Sequence, residues 1–296
     1  MTWQFSLTGL LIGVLVGLTG MGGGSLMTPI LILFFGFKPT YAVGTDLLHG
    51  AIFKSFGAVR HRKLGTVHAQ LALWMFAGSG PMSIAGIAVA SLLARSYGDA
   101  AQSAEGKAIG IALMIGGAGL FVKAFLRRIH DPSQELSVLS TRDRGIAFAI
   151  GATCGFIVGL TSVGSGTFFG LIMVLVYPLA ARRIVGTDIF HAAALLWVAG
   201  LGYLALGKVD LHAMAWLLVG SIPGVLIGSQ IGVRLPDRPL RLALATVLVL
   251  SGIKVVNVPE SSWIIVGSLI ACGLYLVYWA RNERVEARAV AVRTGD

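Results

Sequence analysis

Two short stretches place ionisable side chains inside otherwise apolar sequence: VGTDLLH from Val43 to His49, and VGTDIFH from Val185 to His191. Asp46 and His49, like Asp188 and His191, stand three residues apart, a spacing that brings both side chains to one face of a helix. A carboxyl group and an imidazole at membrane depth could take up a proton in exchange with an anion. The plainer alternative puts each aspartate in the first turn of its helix, where the macrodipole favours negative charge, and gives each histidine an ordinary hydrogen-bonding role. Thr45 and Thr187 precede the aspartates and belong to the same candidate sites. Lys54 follows in the first copy, where the second has Leu196; it either snorkels to a nearby basic interface or adds positive charge to one side of a cavity. Ser79 and Ser221 each stand two residues before a proline, Pro81 or Pro223, that should kink its helix. Their hydroxyls line the cavity or satisfy carbonyls that the proline frees.

A second chemistry lies in two glycine loops. GLTGMGGGS from Gly17 holds Gly22, Gly23, Gly24 and Ser25; GLTSVGSGT from Gly159 holds Gly164, Ser165, Gly166 and Thr167. Glycine weakens a helix and lets a ligand approach the backbone closely, so each loop should break an apolar helix and expose the free amides of the next one. Helix N-termini carry partial positive charge, and two of them converging on one point favour an anion. The competing explanation is that these glycines only let helices pack tightly, as small residues do in membranes.

The elements that must position these groups are written twice. Both quoted pairs recur at an offset of 142 residues, and the same offset aligns Gly65 with Gly207, Trp74 with Trp216, Gly78, Ser79 and Pro81 with Gly220, Ser221 and Pro223, and Gly86 with Gly228. No gap is needed from Gly9 to Leu93, which predicts two copies of one structural unit. With 56% hydrophobic residues, 12% charged residues and a mean hydropathy of +0.84, the chain is a polytopic membrane protein rather than a soluble domain. Apolar segments are expected at about 5–19, 25–37, 42–59, 67–94 and 106–125, then at 146–161, 167–179, 184–206, 211–234 and 240–256, with an unrepeated last span from Trp263 to Ala280.

The segments flanking each glycine loop are too short to cross a bilayer separately. If each pair is a re-entrant hairpin, one side of the membrane holds 17 Lys and Arg and the other 5, with Lys54 inside the membrane; a single crossing would give 10 against 12. Cytoplasmic loops carry the excess, so the hairpin is favoured. Each unit then has three full crossings, an odd number, and the copies must be inverted. The expected fold is therefore all-α and polytopic: two inverted-topology homologous repeats, each a glycine-broken re-entrant hairpin plus three transmembrane helices, and one extra C-terminal helix. Residues 1–128 form the first repeat, 129–144 a cytoplasmic linker, 145–258 the second repeat, and 259–296 the last helix and a basic tail. The N-terminus should lie outside and the C-terminus in the cytoplasm of a cell with this protein in its inner membrane. MTWQFSLTGL lacks the basic start of a cleaved signal peptide, so the first segment should stay in the mature protein.

The net charge of +10 sits in short loops, as membrane topology would place it, so no nucleic-acid partner is implied. Cys154 and Cys272 lie in apolar runs and imply neither a disulfide framework nor a metal cluster. No P-loop, HExxH or GxSxG motif is present, so neither nucleotide, metal nor nucleophile-elbow chemistry is signalled, and no cofactor is expected. The expected partners are a small anionic substrate and the lipid bilayer, with a homodimer compatible with the sequence.

The paired loops, the VGTDLLHGAIFKSFGAVRHRKLGTV block and the LLVGSIPGVLIGSQIG block resemble the TauE/SafE family of sulfite exporters and related anion permeases, over about Gly9 to Val256. The resemblance implies two homologous halves, transport of sulfite, sulfonates or other small sulfur-containing organic anions, and a pathway lined by the glycine loops and the VGTD segments. A secondary carrier working by alternating access is thus the first reading, driven by an ion gradient. An anion channel shares its features, and an intramembrane enzyme is the more distant alternative, since its ionisable set would hardly need symmetric duplication.

Overall fold

A computed structural model describes residues 2–19, 24–125, 139–164, 166–232 and 237–257. Gly22, Gly23 and Ser165, most of the proposed linker, and the span from Trp263 to Ala280 with its tail lie outside the described residues. Those described are helical, with no strand among them: α1 (Thr2–Thr19), α2 (Gly24–Phe35), α3 (Pro39–Lys63), α4 (Ala69–Phe125), α5 (Thr141–Thr161), α6 (Phe168–Val176), α7 (Ala181–Ala205), α8 (Leu211–Gly232) and α9 (Asp237–Val256).

Local chemistry sets several boundaries. Pro39 occupies the first turn of α3, where its missing N–H costs nothing. Ser140 and Asp143 form a reciprocal capping box at the start of α5. Among the described residues, five stretches are long and apolar enough to cross a membrane: Ala69–Tyr97, Ala100–Val122, Thr141–Thr161, Arg182–Ala205 and Leu211–Gly228. α3 is long enough to cross but carries Asp46, His49 and Lys54, so its low hydropathy reflects what it buries rather than where it sits.

α4 departs from expectation, because two separate spans emerge as one helical run. A straight helix would hold Ser79 and Gly116 about 55 Å apart. Yet Ser79 packs on Gly155, Gly116 packs on Thr167, and the short segment between Gly155 and Thr167 reaches at most about 30 Å. α4 therefore folds back on itself between its two apolar stretches.

Glycines fix how the other helices meet. A Cβ on Gly220, Gly224 or Gly228 of α8 would strike the carbonyl oxygens of Ser6, Leu10 or Val14, so α1 and α8 run parallel at backbone contact. Gly151, Gly155 and Gly159 of α5 meet Met75, Ser79 and Ser83 in the same way, which makes α5 parallel to the first half of α4. α3 and α7 run antiparallel: a Cβ on Gly44 would strike the Lys208 carbonyl oxygen, and one on Gly186 that of Thr66. Both contacts join the same two positions of the repeat, with the halves exchanged.

One side-chain contact joins the segments on either side of each glycine loop. Phe5 stacks on Phe35 at 4.5 Å, bringing the start of α1 beside the end of α2. The Tyr177 hydroxyl donates to the Asp143 carbonyl at 2.9 Å, doing the same for α5 and α6.

Candidate functional site

α3 and α7 pack across one another at mid-helix. Gly50 faces the Leu196 side chain there, and the Trp197 indole donates to Ser55 Oγ at 2.9 Å. Pro39 starts α3 and Ala181 starts α7, so Asp46 and Asp188 stand about two turns inside their helices rather than in the first turn. The capping explanation of both aspartates is thereby overturned.

Asp46 is 1% exposed, and its Oδ2 accepts from Thr28 Oγ1 at 2.6 Å and from Ser162 Oγ at 2.7 Å. Its Oδ1 has no hydrogen bond. Thr28 lies on α2 of the first half, Ser162 in the glycine loop of the second, so the carboxyl group ties the halves together. Ser162 caps α5 in the left-handed conformation with φ 62°, uncommon for a residue with a side chain. Neither Thr28 nor Ser162 was singled out by motif; the available signal was that each hydroxyl flanks a glycine loop.

The histidines reach across the halves instead of joining the aspartate three residues before them. His49 Nε2 lies 2.9 Å from Ser221 Oγ, and His191 Nε2 lies 2.9 Å from Ser79 Oγ. These are the same bond twice, with the halves exchanged. Ser79 and Ser221 thus serve imidazoles rather than proline-freed carbonyls; Ser83 bonds the Gly80 carbonyl.

Thr45 and Thr187 form another such pair. Thr45 Oγ1 accepts from the Asp210 N–H at 3.0 Å, and Thr187 Oγ1 from the His68 N–H at 2.9 Å, satisfying amides just ahead of α8 and α4.

Lys54 does not snorkel: it is 3% exposed and interacts electrostatically with both Asp46 and Asp188. With Asp46, His49, Gly13, Phe53 and Ser221 it lines a small cavity between α1, α3 and α8.

The second glycine loop takes backbone angles that only glycine adopts easily, with φ 119° at Gly164 and 126° at Gly166. It delivers the chain to α6, whose N-cap Thr167 is buried with its hydroxyl unbonded. On the first side, α2 begins at Gly24, so Gly24 and Ser25 open it. The structure therefore gathers Thr45, Asp46, His49 and Ser221, and Thr187, Asp188, His191 and Ser79, along the α3/α7 crossing, with Gly164, Gly166 and Thr167 at the start of α6.

The family model described as "Sulfite exporter TauE/SafE" matches residues 5–255. The chain is 38% identical over 256 residues to the probable membrane transporter protein YjnA of Bacillus subtilis, covering 86% of this chain and all of that one. It is 24% identical over 243 residues to the probable membrane transporter protein YdhB of the same organism, covering 82% and 95%. The probable membrane transporter protein MJ0441 of Methanocaldococcus jannaschii is 24% identical over 260 residues, covering 83% and 92%. No solved structure matches the chain.

Proposed function

We propose, starting from the fact that this chain belongs to the TauE/SafE family and is a multi-pass membrane transporter, that it is a secondary carrier for a small sulfur-containing oxyanion. Its halves, 1–128 and 145–258, are inverted copies that alternate around a shared centre, each with a re-entrant hairpin built from α1 and α2 or from α5 and α6. The observation that carries this reading is the exchange of partners around α3 and α7, which bond α8 and α4 respectively: His49 with Ser221 matches His191 with Ser79, and Thr45 with Asp210 matches Thr187 with His68. Equivalent helices that pack antiparallel support inversion, and a site shared by both halves is what alternating access requires. The contacts of Phe5 with Phe35 and of Tyr177 with Asp143 support the hairpins.

The anion is held near the midplane among the buried Asp, His, Ser and Thr groups, with the positive ends of α2 and α6, at their N-termini, turned toward that region. Charge supports the orientation. The His68–Thr187 and Met75–Gly151 contacts put Arg60, Arg62, Lys63, Arg142, Arg144, Arg182 and Arg183 at one end of the molecule. Bonding of Thr40 to Glu105 and packing of Gly44 on Lys208 put Lys38, Lys107 and Lys208 at the other. The richer end is cytoplasmic. α1 starts at the poorer end, so the N-terminus lies outside an inner membrane, and the protein functions as one chain or a homodimer in lipid.

Counterflow in proteoliposomes tests the carrier reading. Vesicles loaded with unlabelled sulfite should accumulate labelled sulfite transiently. Conductance without exchange would indicate a channel, and chemical conversion of the anion an enzyme.

A further inference from the structure

Lys54 is the single Lys or Arg that the charge pattern leaves inside the membrane, and its counterpart in the second half is Leu196. It lies on α3 beside the crossing with α7, within electrostatic reach of an aspartate from each half. The cavity against it has a volume of about 10 Å³, near what one water needs. Three polar side chains besides Lys54 touch that cavity: Asp46, His49 and Ser221. Asp46 commits Oδ2 to Thr28 and Ser162 and keeps Oδ1 unbonded, while Ser221 and His49 already bond each other. An ammonium group, a hydroxyl and an open carboxyl oxygen around one space match an oxyanion that carries a proton: its bare oxygens accept from Lys54 and Ser221, and its O–H donates to Asp46 Oδ1.

We propose that this cavity, on the first-half side of the centre, is the seat of the transported anion, that Lys54 is the cation holding it, and that it takes one small hydrogen oxyanion of the hydrogen sulfite type. The assignment rests on the anion-carrier reading above and sharpens it. One lysine beside two aspartates leaves no surplus positive charge, which disfavours a dianion and suits a ligand that brings a proton of its own. Seating the anion requires the α1/α8 pair, joined at backbone contact where Gly13 faces Ser221, to move as a unit away from α3.

The test uses the full chain in lipid nanodiscs, titrated calorimetrically with sulfite at mildly acidic pH, and with sulfate as the dianion of similar shape. Wild-type protein should bind sulfite and bind sulfate at least tenfold more weakly. Lys54→Met should weaken sulfite binding at least a hundredfold, and so should Asp46→Asn combined with Lys54→Met, which removes a charge of each sign. Ser221→Ala should weaken binding about tenfold, a loss at least three times that of Ser79→Ala. If the lysine variants fail to fold, the two serine variants decide, since each deletes one oxygen. Wild-type affinity in the double variant would reduce Lys54 to a counter-ion for Asp46 and overturn the seat. An equal or larger loss in Ser79→Ala, or sulfate bound as tightly as sulfite, would overturn it too. Failure of wild-type protein to bind sulfite would remove the anion reading itself and the seat with it.

Discussion

The Asp46 and Asp188 centres hold equivalent positions in the repeat and differ in what surrounds them. Asp46 receives hydroxyls from Thr28 and Ser162. In the repeat, Thr28 corresponds to Gly170 and Ser162 to Gly20, neither of which has a side chain to donate. Lys54 is matched by Leu196, and Phe169, whose ring lies 4.4 Å from that of His191, is matched by Met27. By contrast, the His–Ser and Thr–amide bonds between the halves occur in both senses. The duplicated bonds tie α3 to α8 and α7 to α4, contacts that both halves build in the same way, so losing either distorts equivalent interfaces. The groups within each centre are not bound by that pairing, and under the proposed seat one ligand needs only one set of charges. Symmetry is thus kept by the scaffold and broken at the site.

The largest expected effect attacks the scaffold. A side chain at Gly44 or Gly186 would press on a carbonyl at backbone distance, so Gly44→Ala and Gly186→Ala should each destabilise by more than about 3 kcal/mol, and to similar extents. Gly145 has nothing within 4 Å of an added Cβ, and Gly145→Ala should raise stability by up to about 1 kcal/mol. Thermal unfolding in detergent reads all three; tolerance of alanine at only one of the first two would break the equivalence.

Next come the centres themselves. Asp46→Ala strands two buried hydroxyls, which should cost about 2–3 kcal/mol, whereas Asp188→Ala, with glycines at the matching positions, should cost about half as much. Equal losses would mean that the asymmetry in hydroxyls has no energetic content.

The smallest effect concerns the cross-half bonds. Ser79→Ala and Ser221→Ala should each lower stability by about 0.6–1 kcal/mol, the usual worth of a side-chain hydrogen bond between membrane helices. A clear difference between them would show that the two bonds do not share one structural role, and would sharpen the contrast with their unequal effects on sulfite affinity.

Much of the scaffold was legible in the sequence because repetition is a one-dimensional signal. The constant offset located equivalent helices, and the glycine runs located the breaks, with α2 beginning at Gly24 and α6 at Phe168. Which residues touch was less legible. The three-residue spacing of Asp46 and His49 says that they share a face, but not that their partners, Ser162 and Ser221, come from the other half. The aspartates read as cap residues only because α3 and α7 were expected to start later, whereas Pro39 can open a helix ahead of the apolar stretch. Snorkelling was one of two readings of Lys54 because it is near the basic end of α3; only packing from α1 and α8 shows it to be buried. The fold-back of α4 was expected at a break in hydropathy, yet the backbone is helical through it.

Inversion of the halves underlies everything said about the site, and Leu64 and Leu206 test it directly. They occupy the same position of the repeat, each just after its helix, and are 60% and 39% exposed. In a background with Cys154 and Cys272 replaced by serine, Leu64→Cys and Leu206→Cys would be treated in intact cells with a thiol reagent that cannot cross the membrane, then again after permeabilisation. Inverted halves predict that the cysteine at 206 reacts in intact cells and the one at 64 only after permeabilisation. Reaction of both from the same side would contradict inversion and, with it, the shared centre.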